Sequence, residues 1–436
     1  MKFTYAIISF LLLAGNAFAQ DTIFRVITIK ELFSLTESNA KQLDISQQGI
    51  QISRQRTAIA KSERLPEIAS SADAGYLSTI SILNPDFSFN TGVKTPHFTN
   101  NYGVEASEII YKGGFIHQNI EKSKLSEQLS VLAFEKSKQE IKLLLLGKYL
   151  QLFQLENSRI IYLENIQLAK HRLSDLTRLQ KQGLVIRNDL IRNELQIKDF
   201  ELDLEEVNND ITILNRELCV YLNLSVDIQI KPDTLLVSQA VAERSLNDYL
   251  EDAYHLQPAM KATVINEKIA DKNIRLEKSA RSPTLSLYAG DALQRPFLNT
   301  LEPLDVYYNA YQTGIKLKYN ISSLYHAPEH IRLAKLVYTQ EQTRSSFQKQ
   351  QTEIEVHTAF TNYLEAKERF MTLEKSLQLA NDNYRVVERK YKNQLAQITD
   401  ILDASTAKLA AELRLSNARI NIIGQWYKLQ KSTGNF

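Results

Sequence analysis

One internal repeat constrains the fold of this chain more than any other feature of its sequence. Gly183–Ile191 aligns with Gln394–Leu402 at an offset of 211 residues, so that Asp189 lies opposite Asp400. A repeat at a fixed offset indicates that one structural unit occurs twice in the chain. Further matches at the same offset pair Gly103 with Gly314, Ile120 with Ile331 and Leu218 with Leu429, and matches at an offset of 217 pair Leu43 with Met260 and Pro66 with Pro283.

Each copy reads as a helix, a pair of strands, a very long helix, a sharp reversal and a return helix. The first copy covers residues 20–224, with its strand pair at about 68–111 and its reversal at about 182–190. Residues 225–247 form an irregular connector with small strands. The second copy covers 248–436, with strands at about 284–321 and a reversal at about 392–401. Helices of this length need lateral partners, as in a coiled coil.

The strand pairs alternate apolar and polar residues with a period of two, which indicates sheets with one apolar face. That apolar face includes Tyr76, Val104, Leu287 and Leu317. Four strands leave open edges, and open edges are costly in a bilayer, so closure into a membrane barrel would require several chains. A soluble, half-buried sheet shows the same period and remains the alternative.

The second reversal ends in a stretch with the features of a helix start. Thr399 is the expected N-cap, because its hydroxyl can accept a hydrogen bond from an amide two or three residues later. Asp400 and Asp403 then fall in the first turn, where the helix dipole favours negative charge. The simplest interpretation is a tight antiparallel helical hairpin whose two carboxylates serve as caps.

The amino terminus predicts export. A short apolar stretch over 7–14 precedes Ala17-Phe18-Ala19, a signal-peptidase pattern, so residues 1–19 are a predicted signal peptide. No later stretch has the roughly 18 apolar residues of a spanning helix. Cys219 is the single cysteine, which excludes an internal disulfide and leaves none after the signal to carry a lipid.

Composition and motifs give no support for nucleic-acid binding or for catalysis. The net charge is only +2, which gives no electrostatic case for a nucleic-acid partner. His326 and His330 alone have ligand-like spacing, but no third ligand is near and Pro328 between them disfavours a helical metal pair. Phosphate-loop, nucleophile-elbow and zinc-protease patterns do not occur. We expect no cofactor, no metal and no enzymatic activity.

The chain resembles the TolC-like outer-membrane efflux proteins, and the resemblance covers essentially the whole mature sequence. It is carried by the run Ile398–Thr406, by the repeated reversal at Gly183-Leu184-Val185 and by the paired prolines Pro66 and Pro283. The resemblance implies a mainly α-helical chain with four strands, three copies of which form a transmembrane β-barrel continuous with a helical tunnel through the periplasm. It implies a passive exit duct in the outer membrane that docks a periplasmic adaptor and an inner-membrane pump.

The resemblance also implies roles for individual residues. Asp400 and Asp403 fall where acids ring the periplasmic entrance, Asp189 where an acid braces the closed tip, and Tyr391 where a tyrosine helps to hold it shut. Two positions depart from the family pattern. Gln394 replaces a glycine, and Ala396 replaces an arginine that partners the first-repeat acid in some members, with Arg187 and Arg192 as possible substitutes.

We expect the two reversals to form the adaptor-docking surface, because they carry apolar residues at a tip that otherwise ends in polar caps. The residues concerned are Gly183, Leu184, Val185, Gln394, Leu395 and Ala396. The alternative is a soluble periplasmic coiled-coil interaction protein whose strand pairs pack on themselves. The exported cargo cannot be read from the sequence.

Overall fold

The structure is a computed structural model that describes residues 23–233, 244–300 and 303–436. The predicted signal peptide over 1–19 lies outside these residues. The described chain divides into two compact units. We call the first the helical unit, which contains residues 23–47, 133–260 and 349–436, and the second the sheet unit, which contains 48–132 and 261–348.

The elements follow the duplicated order that the sequence predicts. In chain order they are β1 (Ile23–Ile27), α1 (Ile29–Asn39), α2 (Lys41–Ser62), β2 (Glu67–Tyr76), β3 (Ile80–Leu83), β4 (Phe89–Val93), β5 (Phe98–Lys112), α3 (Phe115–Lys181), α4 (Arg187–Tyr221), β6 (Ile228–Pro232), α5 (Leu246–Leu256), α6 (Pro258–Ser279), β7 (Thr284–Arg295), β8 (Tyr308–Lys318), α7 (Ser323–Lys392) and α8 (Ile398–Thr433). No helix among the described residues has the length and apolar character needed to cross a membrane.

The sheet unit is built around one antiparallel four-stranded sheet with the strand order β2-β5-β7-β8. Its register places the four residues of the predicted apolar face on one side. Tyr76 of β2 pairs with Phe98 of β5, the strand that also contains Val104. Leu287 of β7 pairs with Ile315 of β8, and Leu317 of β8 pairs with Leu285 of β7. Cross-strand partners point to the same face of a sheet, so the alternation in the sequence becomes one mainly apolar face in the fold, which also carries Glu108 and Asp291.

The opposite face of this sheet is polar and concave. The groove on this face measures about 870 Å³. Its lining includes Glu67, Glu105, Gln312, Lys316 and Lys318. Among the described residues the outer edges of β2 and β8 have no strand partner. The sheet therefore has one apolar face, one polar hollow face and two open edges.

The structure also contains two small sheets whose strand pairing was not predicted from the sequence. The stretch that begins at Asn84 is the turn of a second hairpin, β3 with β4. Asp86 organises that turn by accepting hydrogen bonds from the amide and the hydroxyl of Ser88. In the helical unit, β1 pairs in parallel with β6. Their residues lie about 200 positions apart in the chain, so local patterning does not reveal the pairing.

The helical unit has its main apolar core where α1, α3 and α4 pack on β1 and β6. Tyr149 is fully buried there and donates a hydrogen bond to the carbonyl oxygen of Ile27 at 2.6 Å. Its hydroxyl also accepts from the amide of Asp233 at 2.9 Å. Burial raises the pKa of Tyr149 to about 12. Helix α1 ends at its C-cap Ala40, whose extended backbone separates it from α2.

Candidate functional site

Both helical reversals adopt the same backbone geometry. Gly183 has a φ of 75° and Gln394 a φ of 61°, both in the left-handed region. The Leu184 amide donates to the Leu179 carbonyl at 3.0 Å, and the Leu395 amide donates to the Lys390 carbonyl at 2.8 Å. These are the long hydrogen bonds of a Schellman motif, which ends a helix with a left-handed residue. The sequence repeat therefore corresponds to the same helix-capping motif at both reversals.

Replacing Gln394 by glycine should stabilise the second reversal by about 1 kcal/mol, because a residue with a Cβ is strained in the left-handed region. The matched control is Gly183→Ala, which should destabilise the first reversal by about the same amount. Nothing lies within 4 Å of a Cβ built on Gly183, so only backbone strain enters that control. Thermal unfolding of both variants checks the pair. A lower unfolding temperature for Gln394→Gly would contradict the expectation.

The second reversal is capped by a different residue from the one expected. Helix α8 begins at Ile398, so its N-cap is Gln397, and the expected N-cap Thr399 lies inside the first turn. Asp400 occupies the third helical position, and its carboxylate accepts a hydrogen bond from the Gln397 amide at 2.9 Å. A carboxylate at this position also interacts favourably with the helix dipole. Asp400 is therefore a capping residue, whereas Asp403 is exposed one turn later.

Asp189 occupies the equivalent third position of α4, after the N-cap Ile186. It lines a cavity of about 420 Å³ between the two reversals together with Tyr391 and Arg192. Arg187, the other arginine considered from the sequence, is not among the lining residues. The Tyr391 hydroxyl is buried and has no hydrogen-bond partner among the described residues. Burial raises the pKa of Tyr391, and the nearby Asp189 carboxylate raises it further.

An apolar cluster lies directly beneath this cavity. Leu176, Ile398 and Ile401 are its buried members, and Tyr391 and Val185 pack against it. Val185 was expected to belong to a docking surface, but its side chain is half-buried here. The cluster contains residues from all four long helices, and its packing holds the two reversals side by side.

The remaining residues of the predicted docking surface lie at the surface of the reversals. Leu395 is 76% exposed and Leu184 is 50% exposed, and their neighbour Ile186 is 65% exposed. Gly183 and Gln394 are exposed, and Ala396 lines the same cavity as Leu184. Large apolar side chains that project from a polar tip indicate an interaction surface.

One polar residue of this region was not singled out from the sequence. Arg172 of α3 is buried beneath the cavity. It lies three residues after the buried Ala169 and four residues before the buried Leu176. That spacing places Arg172 on the apolar face of its helix, and this was the available signal that it is buried.

The part of the chain that the structure describes does not show a metal site. Within it there is no group of three or more His, Cys, Asp or Glu side chains arranged to hold a metal ion. His326 and His330 both lie in α7, and Pro328 between them lies inside the helix and does not end it.

Comparison with known proteins gives a family-model match over the second repeat and a fold for the chain. The sequence model of the family described as outer membrane efflux protein matches residues 249–435. No curated protein sequence matches significantly.

Solved structures match at low sequence identity but over nearly the whole chain. The outer-membrane channel OprN matches with a TM-score of 0.78 and 15% identity, over 94% of this chain and 90% of its own. The outer membrane protein VceC from Vibrio cholerae gives a TM-score of 0.75 and 12% identity, over 93% and 96%. The Campylobacter jejuni CmeC outer membrane channel gives 0.73 and 14%, over 93% and 85%. The expected TolC-like fold is thereby confirmed.

Proposed function

We propose that the chain, whose residues 249–435 match the outer membrane efflux protein family, is a passive exit duct of a tripartite export system. In this proposal three copies form an outer-membrane barrel and a periplasmic tunnel. A periplasmic adaptor and an inner-membrane pump dock at the reversals and supply the energy. The duct itself catalyses no reaction and needs no cofactor, and its membrane anchorage comes from the barrel and not from a lipid.

The four-stranded sheet is the observation that carries this proposal. Its apolar face, its hollow polar face and its two open edges fit a segment of a barrel wall. In a membrane barrel the apolar face contacts lipid, the polar face lines the lumen, and each edge pairs with a neighbouring copy. Tyr76, Val104, Leu287 and Leu317 are then lipid-facing.

Exposed apolar stripes on the helices support association between copies. On α4, Leu195 and Leu202 are exposed and lie seven residues apart. On α7 the exposed pairs at the same spacing are Leu364 with Met371 and Leu379 with Val386. A seven-residue apolar repeat is the seam of a coiled coil, and each of these seams lacks a partner within the described chain. Lateral packing of identical copies would bury them.

Fractionation and conductance together test the proposal. We expect the purified protein to come from the outer-membrane fraction, to run as a trimer in detergent and to form conducting pores in a planar lipid bilayer. A soluble monomer or dimer without pore activity would support the alternative of a periplasmic coiled-coil interaction protein.

The acids at the second reversal lead to a prediction about ion selectivity. In a threefold tunnel Asp400 and Asp403 would place six carboxylates near one axis, which favours cations and allows block by a trivalent cation. Asp400→Asn with Asp403→Asn should abolish that block and lower cation selectivity. Asparagine removes the charge but keeps an oxygen that can accept from the Gln397 amide, so the cap is retained.

Planar-bilayer recordings of the purified trimer measure both properties. High salt should weaken the block in the unmodified protein, because salt screens exposed charges. The control is Asp175→Asn, which removes an acid that is paired with Arg178 on α3. If the double variant keeps its selectivity and its block, these acids do not line the pore.

A further inference from the structure

A buried arginine joins the four long helices below the reversals. Arg172 is only 9% exposed. Its guanidinium donates to the Gln196 side-chain oxygen at 3.0 Å, to the Tyr384 hydroxyl at 3.3 Å and to the Ser405 hydroxyl at 3.3 Å. These four residues come from α3, α4, α7 and α8, respectively. Each hydrogen-bond partner of this buried cation is uncharged.

Gln196 extends the network to a second set of atoms on α8. Its side-chain amide donates to the Leu402 carbonyl oxygen at 3.3 Å and to the Thr406 hydroxyl at 3.2 Å. Gln196 and Ser405 are themselves buried, at 8% and 5% exposure. Arg172 and Gln196 therefore form a polar layer in which one side chain from each helix of the α3–α4 hairpin donates hydrogen bonds to the α7–α8 hairpin.

Apolar layers flank this polar layer on both sides. Toward the reversals lies the cluster of Leu176, Ile398 and Ile401. On the other side lies a cluster formed by Ile166, Phe200 and Leu409. Apolar side chains pack acceptably in more than one register, because their attraction has no direction. Hydrogen bonds to a planar guanidinium are directional, and they are satisfied in few arrangements.

Burial of a cation among neutral partners adds little to stability, since the cost of desolvating the charge offsets its hydrogen bonds. Buried polar groups are instead known to fix the register of helices in coiled coils. We propose that Arg172 is a positioning residue that fixes the register of the α3–α4 hairpin against the α7–α8 hairpin. It does so at a cost in stability, and it gives the two reversals a single relative arrangement. This proposal does not depend on the protein being an export duct.

The test measures stability and tip geometry separately. Spin labels on Leu184→Cys and Leu395→Cys, in a protein with Cys219→Ala, report the distance between the two reversals. Labelled copies are diluted with unlabelled copies, so that electron–electron resonance reads distances within one chain. We expect one narrow distance population in this parent protein. Arg172→Met should broaden it or split it, while the melting temperature stays unchanged or rises.

Two further variants complete the design. Leu409→Ala weakens the adjacent apolar cluster without touching the polar layer, so it should lower the melting temperature and keep the narrow population. Gln196→Leu removes an acceptor and two donated bonds of the network, and it should broaden the population as Arg172→Met does. A narrow population in Arg172→Met overturns the proposal. Failure of that variant to fold, or a lowered melting temperature, overturns it too, because Arg172 would then be an ordinary stabilising contact.

Discussion

Replacing Leu184 and Leu395 together with aspartate should abolish export, while the trimer still reaches the outer membrane. Both side chains project from the reversals, and neither belongs to the buried cluster beneath them. Their removal should therefore leave the helical unit folded. A docking surface of this kind binds through apolar residues at its centre, and a charge placed there is desolvated on binding without a partner. Cellular efflux or secretion, compared with the amount of trimer in the outer membrane, measures the effect.

The matched control adds the same charges at neighbouring exposed positions. Gln182→Asp with Asn393→Asp places one aspartate before each left-handed residue and keeps both leucines. This control should export at a near-normal rate, because the apolar contact is retained. Normal export by the Leu184 and Leu395 double variant would count decisively against docking at the reversals. Equal loss in the control would assign the effect to charge alone.

Arginine at Leu287 should prevent stable assembly of the trimer. Leu287 lies on the apolar face and pairs with Ile315 inside the sheet. An arginine on the lipid face of a barrel costs about 2–4 kcal/mol near the bilayer midplane and about 0–1 kcal/mol near the interface. Leu317 lies at the end of its strand, so Leu317→Arg should have the smaller effect of the two. The heat resistance of the trimer and its yield in the outer membrane provide the measurement.

The control for this prediction is an arginine on the other face of the same sheet. Gln312 lies on the polar face, opposite Gly290 and in the groove that contains Lys316. Gln312→Arg should assemble normally, because a lumen side chain stays in water. If Leu287→Arg and Leu317→Arg leave assembly unchanged, the apolar face does not contact lipid. If Gln312→Arg impairs trimer assembly as much as Leu287→Arg does, the polar face does not line the lumen as we propose.

The sequence by itself determined the helices and strands that depend on residues close together in the chain. A period of two defined the faces of the four main strands, and long helical apolar patterns defined α3 and α7. The repeat at a fixed offset related the two reversals. The strand and helix inferences need only neighbouring residues, and the fold confirms that the chain is mainly helical with a TolC-like architecture.

The tertiary structure decided whatever depends on residues far apart in the chain. The pairing of β1 with β6 joins segments that only the folded helical unit brings together. Which residue caps α8 depended on where the preceding turn ended. The N-cap is Gln397, whose amide donates to the Asp400 carboxylate, while Thr399 lies inside the helix. The buried role of Arg172 arises only where four helices meet, since its partners lie 24, 212 and 233 residues away. Directional hydrogen bonds between distant residues leave no periodic pattern in a sequence, and this is why only the structure shows them.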